Sequence, residues 1–217
     1  LDMSKIRLLA FSGGEPLVYW KTIRELITFF NENCPNLVNF RFITNGALLT
    51  GEIVQECIEK GIRVVVSDDG GDNRYRKQRT EQQRIDSYTK YNRYADRLQN
   101  DFVIRYQLGR HHLDAIKMYQ YFKRNIPNIK CIADQGVIEA VMPDNDASET
   151  MIQINTLTND QLKLLSDSRY QLLLQRKPEL QNTSRRLNAF IKQLKTGTYY
   201  AQPYRCHMMY MQEMYLD

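Results

Sequence analysis

The sequence predicts an α/β fold in which parallel strands alternate with helices. Three observations carry this. Short apolar runs alternate with longer segments of helical periodicity. The runs are apolar throughout rather than every second residue, as in strands buried on both faces. Glycine, asparagine and aspartate collect just after the first three runs, at the strand ends where parallel sheets bind their ligands.

Taken in order, "KIRLLAF" (5–11) reads as a buried strand. "YWKTIRELITFFNEN" (19–33) places Trp20, Ile23, Leu26, Ile27 and Phe30 at helical spacing, and Pro35-Asn36 stops it. "LVNFRFI" (37–43) is a second strand, closed by Thr44-Asn45-Gly46. "LTGEIVQECIEKG" (49–61) is a helix with Thr50 as N-cap and Gly61 at its C-terminal end. "IRVVVS" (62–67) is a third strand, followed by Asp68-Asp69-Gly70-Gly71-Asp72. Residues 73–99, rich in Tyr, Arg, Lys and Gln, read as a helix with a solvated face. "DFVIRYQL" (101–108) is a fourth strand, and "HLDAIKMYQYFKRN" (112–125) an amphipathic helix stopped by Pro127. "NIKCIADQGVIEA" (128–140) holds a fifth strand with a break expected at Gly136. Strands joined by helices of this length imply right-handed crossovers.

The rhythm changes after Met142-Pro143. "DNDASET" (144–150) is a loop. Residues 157–177 open with Thr158 and Gln161 in capping-box spacing and continue as a helix; 178–197 form another. The tail, 199–217, is rich in Met and Tyr.

The totals set the bounds. The 217 residues, 42% hydrophobic and 25% charged, suit one large soluble domain or a domain with an appendage. A formal charge of +5 is compatible with an anionic ligand and is no nucleic-acid signature by itself. No apolar stretch approaches the ~20 residues of a membrane span, and no signal-peptide pattern is present. The four cysteines, Cys34, Cys57, Cys131 and Cys206, stand far apart, so no CxxC pair exists. Free buried thiols and a reduced, cytoplasmic setting are expected.

The chemistry-bearing residues lie at the strand ends: Gly13-Gly14-Glu15 after the first, Thr44-Asn45-Gly46 after the second, Ser67-Asp68-Asp69 after the third, and Arg105 and Gln107 near the end of the fourth. Glu15 can accept hydrogen bonds from an ammonium group. Asn45 and Ser67 suit amide, hydroxyl or carboxylate contacts, and Arg105 can pair with a carboxylate. Blander readings stand beside these. Asp68, Asp69 and Asp72 could bind a hard cation, although a solvated loop is the default. The Tyr/Arg stretch at 73–97 could stack on single-stranded nucleic acid, although the outer face of a helix is the default. His111-His112 could face substrate or simply head a helix.

"FSGGEPL", "FITNGALL" and "VVVSDDG", at this spacing, resemble the radical S-adenosylmethionine family over residues 5–140, in particular the branch with a C-terminal auxiliary iron–sulfur (SPASM-type) domain. The resemblance implies an incomplete (β/α)6 partial TIM barrel followed by a helical C-terminal segment. It implies S-adenosyl-L-methionine as cofactor, with Gly13, Gly14 and Glu15 at its methionyl amino group, Asn45 close by, and Ser67 near its ribose and carboxylate, while Asp69 matches the aspartate of the family's Ser-hydrophobic-Asp-Gly pattern. Asp68 stands where the family pattern has an apolar residue. Arg105 joins the set on position alone.

The family's 4Fe–4S cluster is held by a CxxxCxxC loop after the barrel's first strand, and this sequence contains neither the loop nor that strand. The chain is therefore expected to be truncated at both ends. Residues 1–143 would be the barrel core, 144–198 a helical linker or capping segment, and 199–217 the start of an auxiliary-cluster domain, with Cys206 as one metal ligand and His207 an ordinary exposed residue. The intact enzyme would cleave its cofactor reductively and abstract hydrogen from a peptide or protein substrate, taking electrons from a ferredoxin or flavodoxin. The chain alone would be inactive. Neither membrane nor nucleic acid is an expected partner. The rival reading is a cluster-less barrel serving as a binding scaffold.

Overall fold

The structure, a computed structural model, describes residues 2–70, 80–108, 113–137 and 158–174. The chain divides into two compact units, one built on Leu1–Val66 and one on Ser67–Tyr199.

The first unit is a β-α-β-α-β sequence. Strands β1 (Leu8–Phe11), β2 (Asn39–Thr44) and β3 (Ile62–Ser67, its last residue opening the second unit) alternate with helices α1 (Trp20–Asn33) and α2 (Gly51–Glu59). β2 pairs in parallel with both β1 and β3. Thr50 caps α2 by accepting the Ile53 N–H at 3.3 Å, and Gly61 takes a φ of +61° just past its end. A glycine tolerates that left-handed backbone where other residues would be strained. Two β-α-β crossovers run in the same direction along the sheet, and the right-handed rule for such units carries α1 and α2 to one face of it. The Trp20 ring meets the Phe42 ring edge-on at 5.6 Å, and Arg24 bridges to Glu56 across the two helices at 3.3 Å.

That face is the core. Ile23 and Ile27 of α1, Val54 and Cys57 of α2, and Phe40, Phe42, Ile62, Val64 and Val66 of the strands are all buried. Each large side chain so buried contributes about 1.5–3 kcal/mol. The other face is more open. Exposure along β2 alternates strictly, with Phe40, Phe42 and Thr44 buried and Asn39, Arg41 and Ile43 not. β1 is half-buried at all four positions, where a fully buried strand was expected. It is registered with β2 alone among the described residues, so its backbone and side chains are covered from fewer directions.

The second unit contains α3 (Glu81–Leu98), β4 (Phe102–Leu108), α4 (Ala115–Asn125), β5 (Cys131–Val137) and α5 (Asn159–Leu174). β4 and β5 pair in parallel. The irregularity expected at Gly136 is a bulge: the pairing passes from Tyr106↔Asp134 to Leu108↔Val137, so one strand advances two residues while the other advances three. Capping boxes open α3 (Thr80 with Gln83) and α5 (Thr158 with Gln161), and Asp114 caps α4 through the Ile116 and Lys117 amides. Ser168 of α5 is buried. It accepts the Ala115 N–H at 3.1 Å and donates to the Leu113 carbonyl at 3.4 Å, fastening α5 to the start of α4.

The expected fold class stands: α/β, with five parallel strands alternating with helices. No described helix is long and apolar enough to cross a membrane. Asp72, residues 73–79, His111, His112, the 144–150 loop, the 178–197 helix, and the tail with Cys206 and His207 lie outside the described residues.

Candidate functional site

In the first unit the Gly-Gly-Glu turn leaves β1 with Gly13 at φ +92° and Gly14 at φ +44°, both exposed. A Cβ built on either would meet nothing within 4 Å. The positive φ values explain the glycine requirement, and the open space around them leaves bare backbone that another molecule can approach. Glu15 then heads a short 3-10 turn, Pro16–Tyr19, that leads into α1. Pro16 sits at its first position, where a missing N–H costs nothing.

The Glu15 carboxylate ties this turn to the end of β2. Oε1 accepts the Thr44 hydroxyl at 2.6 Å and the Leu17 N–H at 3.2 Å; Oε2 accepts the Asn45 N–H at 2.8 Å. Thr44 in turn accepts the Gly46 N–H at 3.0 Å, and Asn45 Oδ1 accepts the Ala47 N–H at 2.8 Å. Gly46 carries a φ of +77°. Two of the sequence-predicted residues, Glu15 and Asn45, are thus brought into direct contact at the carboxyl ends of adjacent strands. A carboxylate offers about four lone-pair sites, of which three are taken, so one remains for a further N–H donor. Thr44 is the member that the sequence marks only as a turn residue. It is 2% exposed, and its hydroxyl orients the glutamate.

In the second unit, Ser67 is half-buried at the end of β3. The Asp68 N–H donates to the Arg105 carbonyl at 3.0 Å, which sets the turn beside the middle of β4. Asp68 and Asp69 are 5% and 3% exposed, which overturns the expectation of a solvated acidic loop. The reason lies in α3 and α4. Asp68 Oδ1 accepts the Gly70 N–H at 2.9 Å and the Tyr88 hydroxyl at 3.2 Å, and Tyr121 donates to Tyr88 at 3.4 Å. Burial first, and the Asp68 charge second, push the Tyr88 phenol far above its ordinary value, so it remains a donor. The tyrosines of α3 point inward: Tyr88, Tyr91 and Tyr94 are buried with Ala95 and Leu98. They are core residues, not a stacking platform for nucleic acid.

The described cysteines do not make a cluster site. Cys34, Cys57 and Cys131 form no disulfide and are buried at the end of α1, in α2 and in β5, and no group of three potential metal donors exists among the described residues. Burial pushes the Cys57 thiol up to about 12, and Cys131 donates its S–H to the Asn100 carbonyl at 3.2 Å. Cluster ligation needs a thiolate, which the burial of Cys57 disfavours.

No family model matches the chain. A curated relative, the radical SAM cyclopropyl synthase TigE of Paramaledivibacter caminithermalis, is 29% identical over 68 residues, covering 31% of this chain and 14% of the relative. Among solved structures, a histidine-tagged form of anSMEcpe with bound AdoMet is similar at a TM-score of 0.64 and 18% identity over 89% of this chain. Native anSMEcpe with bound AdoMet and a Kp18Cys peptide follows at 0.59 and 17%, again over 89%. Streptococcus suis SuiB bound to S-adenosylmethionine aligns over 80% of the chain and 36% of SuiB, at a TM-score of 0.50 and 17% identity. The chain spans 54% of the anSMEcpe structures and a smaller part of the other two proteins. The α/β fold is therefore the one these structures share.

Proposed function

We propose that this chain is the cofactor-binding portion of a radical S-adenosylmethionine enzyme that modifies a peptide or protein. The relatives named above support the family and, through the molecules bound to them, S-adenosylmethionine and peptide as ligands. The observation that carries the reading is the hydrogen-bonded junction of the Gly13-Gly14-Glu15 turn with Thr44-Asn45. It offers an anionic acceptor beside open glycine backbone, which fits the ammonium group of an amino-acid-like ligand.

In this reading Gly13, Gly14 and Glu15 receive the methionyl amino group, with Asn45 beside it. Ser67, a candidate for ribose or carboxylate contacts, Asp69, matched to the family's aspartate, and Arg105, a candidate partner for a carboxylate, are the further cofactor-binding residues of this reading. Bound S-adenosylmethionine supplies, when reduced, a carbon radical able to take hydrogen from an unreactive C–H bond. The described residues do not fit an iron–sulfur cluster, so we assign this chain the holding of cofactor and substrate and derive no electron transfer from it. The cluster loop, an electron donor such as ferredoxin or flavodoxin, and a cytoplasmic setting belong to the intact protein as proposed. Cys206 is our candidate ligand for an auxiliary cluster opening at 199–217, after a core of 1–143 and a linker of 144–198. The chain by itself would not turn over.

The test is binding, not turnover. Addition of S-adenosylmethionine to the isotope-labelled 217-residue chain should shift the backbone amide signals of Gly13, Gly14 and Asn45, with a dissociation constant on the order of 1 mM or tighter. Glu15→Gln should weaken it about tenfold through loss of the charge-assisted bond. Absence of any shift at these amides at saturating ligand would overturn the assignment.

A further inference from the structure

The two oxygens of the Glu15 carboxylate are used unequally. Oε1 accepts two of the chain's own donors, the Thr44 hydroxyl at 2.6 Å and the Leu17 N–H at 3.2 Å. Oε2 accepts the Asn45 N–H, at 2.8 Å. Each carboxylate oxygen offers about two lone-pair sites, so Oε1 is filled and the open site lies on Oε2. Thr44 makes this division. Its side chain falls on the buried face of β2 with those of Phe40 and Phe42. Its oxygen accepts the Gly46 N–H at 3.0 Å, and its single proton goes to Glu15.

The terminal torsion of a glutamate is soft, so a carboxylate needs outside contacts to hold one orientation. Without the hydroxyl, one backbone amide would remain on each oxygen, and neither oxygen would be singled out for a ligand. Thr44 is 2% exposed, so water has little access to stand in for its hydroxyl. An acceptor fixed before binding spares the ligand the cost of ordering it. The gain is largest for a charged donor, whose hydrogen bonds to a carboxylate are the strong ones.

Resting on the cofactor reading above, we propose that Thr44 is a positioning residue that sets ligand selectivity: by filling Oε1 it leaves Oε2 to the ligand's ammonium group, and so favours an amino-acid ligand over the same molecule without its amino group. Thr44 acts through Glu15 and does not itself touch the ligand. A valine in its place keeps the shape of the side chain and loses the donor. A serine keeps the donor.

The experiment uses the full 217-residue chain, titrated with S-adenosylmethionine and with its deaminated analogue, in which hydrogen replaces the amino group, and read by backbone amide shifts. The unaltered chain should bind S-adenosylmethionine at least about tenfold tighter than the analogue. Thr44→Val should reduce that preference to about threefold or less, and Thr44→Ser should retain it. A general loosening of the turn would weaken both ligands alike and leave their ratio unmoved, which overturns the proposal. In the unaltered chain the S-adenosylmethionine shift should be larger at Asn45, whose N–H shares Oε2, than at Leu17, whose N–H shares Oε1. The reverse order overturns the proposal whether or not Thr44→Val folds, and so does equal binding of the two ligands. S-adenosylmethionine shifts at Gly13 and Asn45 together with an unchanged preference in Thr44→Val would sink this inference alone. No shift at any of these amides would sink the cofactor reading with it.

Discussion

The Glu15 carboxylate accepts the backbone N–H of Asn45 at 2.8 Å, so the turn after the first strand and the turn after the second are held by one side chain. The same carboxylate takes the Thr44 hydroxyl at 2.6 Å. Glu15 therefore positions its own loop before it meets any ligand. Glu15→Ala should lower unfolding free energy by about 1–3 kcal/mol, because three donors lose their acceptor. Thr44→Val should cost about 1 kcal/mol and leave the Asn45 contact intact. Urea denaturation of both variants checks the ranking, and a Glu15→Ala chain as stable as the original would contradict it.

The buried Asp68–Tyr88 pair gives a pH dependence of known sign. Tyr88 has its folded-state value raised by burial and by the Asp68 charge. Its contribution is therefore fully present below the unfolded value of about 10 and declines as pH rises past it, because only the unfolded chain releases the proton. Cys57, raised to about 12 by burial, adds a loss of the same sign beginning above its own ordinary value. Stability measured from about pH 8 to about pH 11 should fall, and Tyr88→Phe should flatten part of that fall while costing about 1–2 kcal/mol at neutral pH. An alkaline limb unchanged by Tyr88→Phe would rule out this source.

Gly70 and Gly13 share a positive φ and differ in surroundings. At Gly70, φ +82°, a Cβ would lie 3.0 Å from Met118 Cε and 3.5 Å from Tyr121 Cδ1. Gly70→Ala should therefore cost about 2–3 kcal/mol, combining backbone strain with displaced packing. Gly13→Ala meets no neighbour and should cost about 1 kcal/mol, yet it should impair S-adenosylmethionine binding in the amide-shift experiment. Thermal melts of the two variants separate steric from purely conformational cost.

Ser168 fastens α5 to the start of α4 through the Ala115 amide and the Leu113 carbonyl. Ser168→Ala leaves a buried N–H without its acceptor, for about 1–2 kcal/mol. Hydrogen exchange should then speed up across α5 and the first turn of α4, with β1 and β2 unaffected. Uniform acceleration through the whole chain would instead mark a global effect.

The elements were legible because each rests on local periodicity and local caps. Thr50, Thr80, Asp114 and Thr158 cap the helices they precede, and the apolar runs became the strands. Strand ends fell within a few residues of expectation. The three turn motifs were legible too, since Gly13, Gly14 and Gly46 stand where positive φ demands glycine. The environment of each motif was not legible. Asp68 and Asp69 look like solvent-facing acids in a Gly-rich loop, yet both are buried, and Asp68 meets Tyr88 some twenty residues away.

What the sequence determined alone is the order and kind of the elements and the identity of the turn residues, because backbone propensity and side-chain periodicity act over a few neighbours. Tertiary structure decided which residues meet. It turned the α3 tyrosines from a candidate stacking surface into core, made Glu15 a tie between strands, and set Arg41 beside Arg63. Those outcomes depend on strand register and helix docking between distant segments, and no short window of sequence contains both partners.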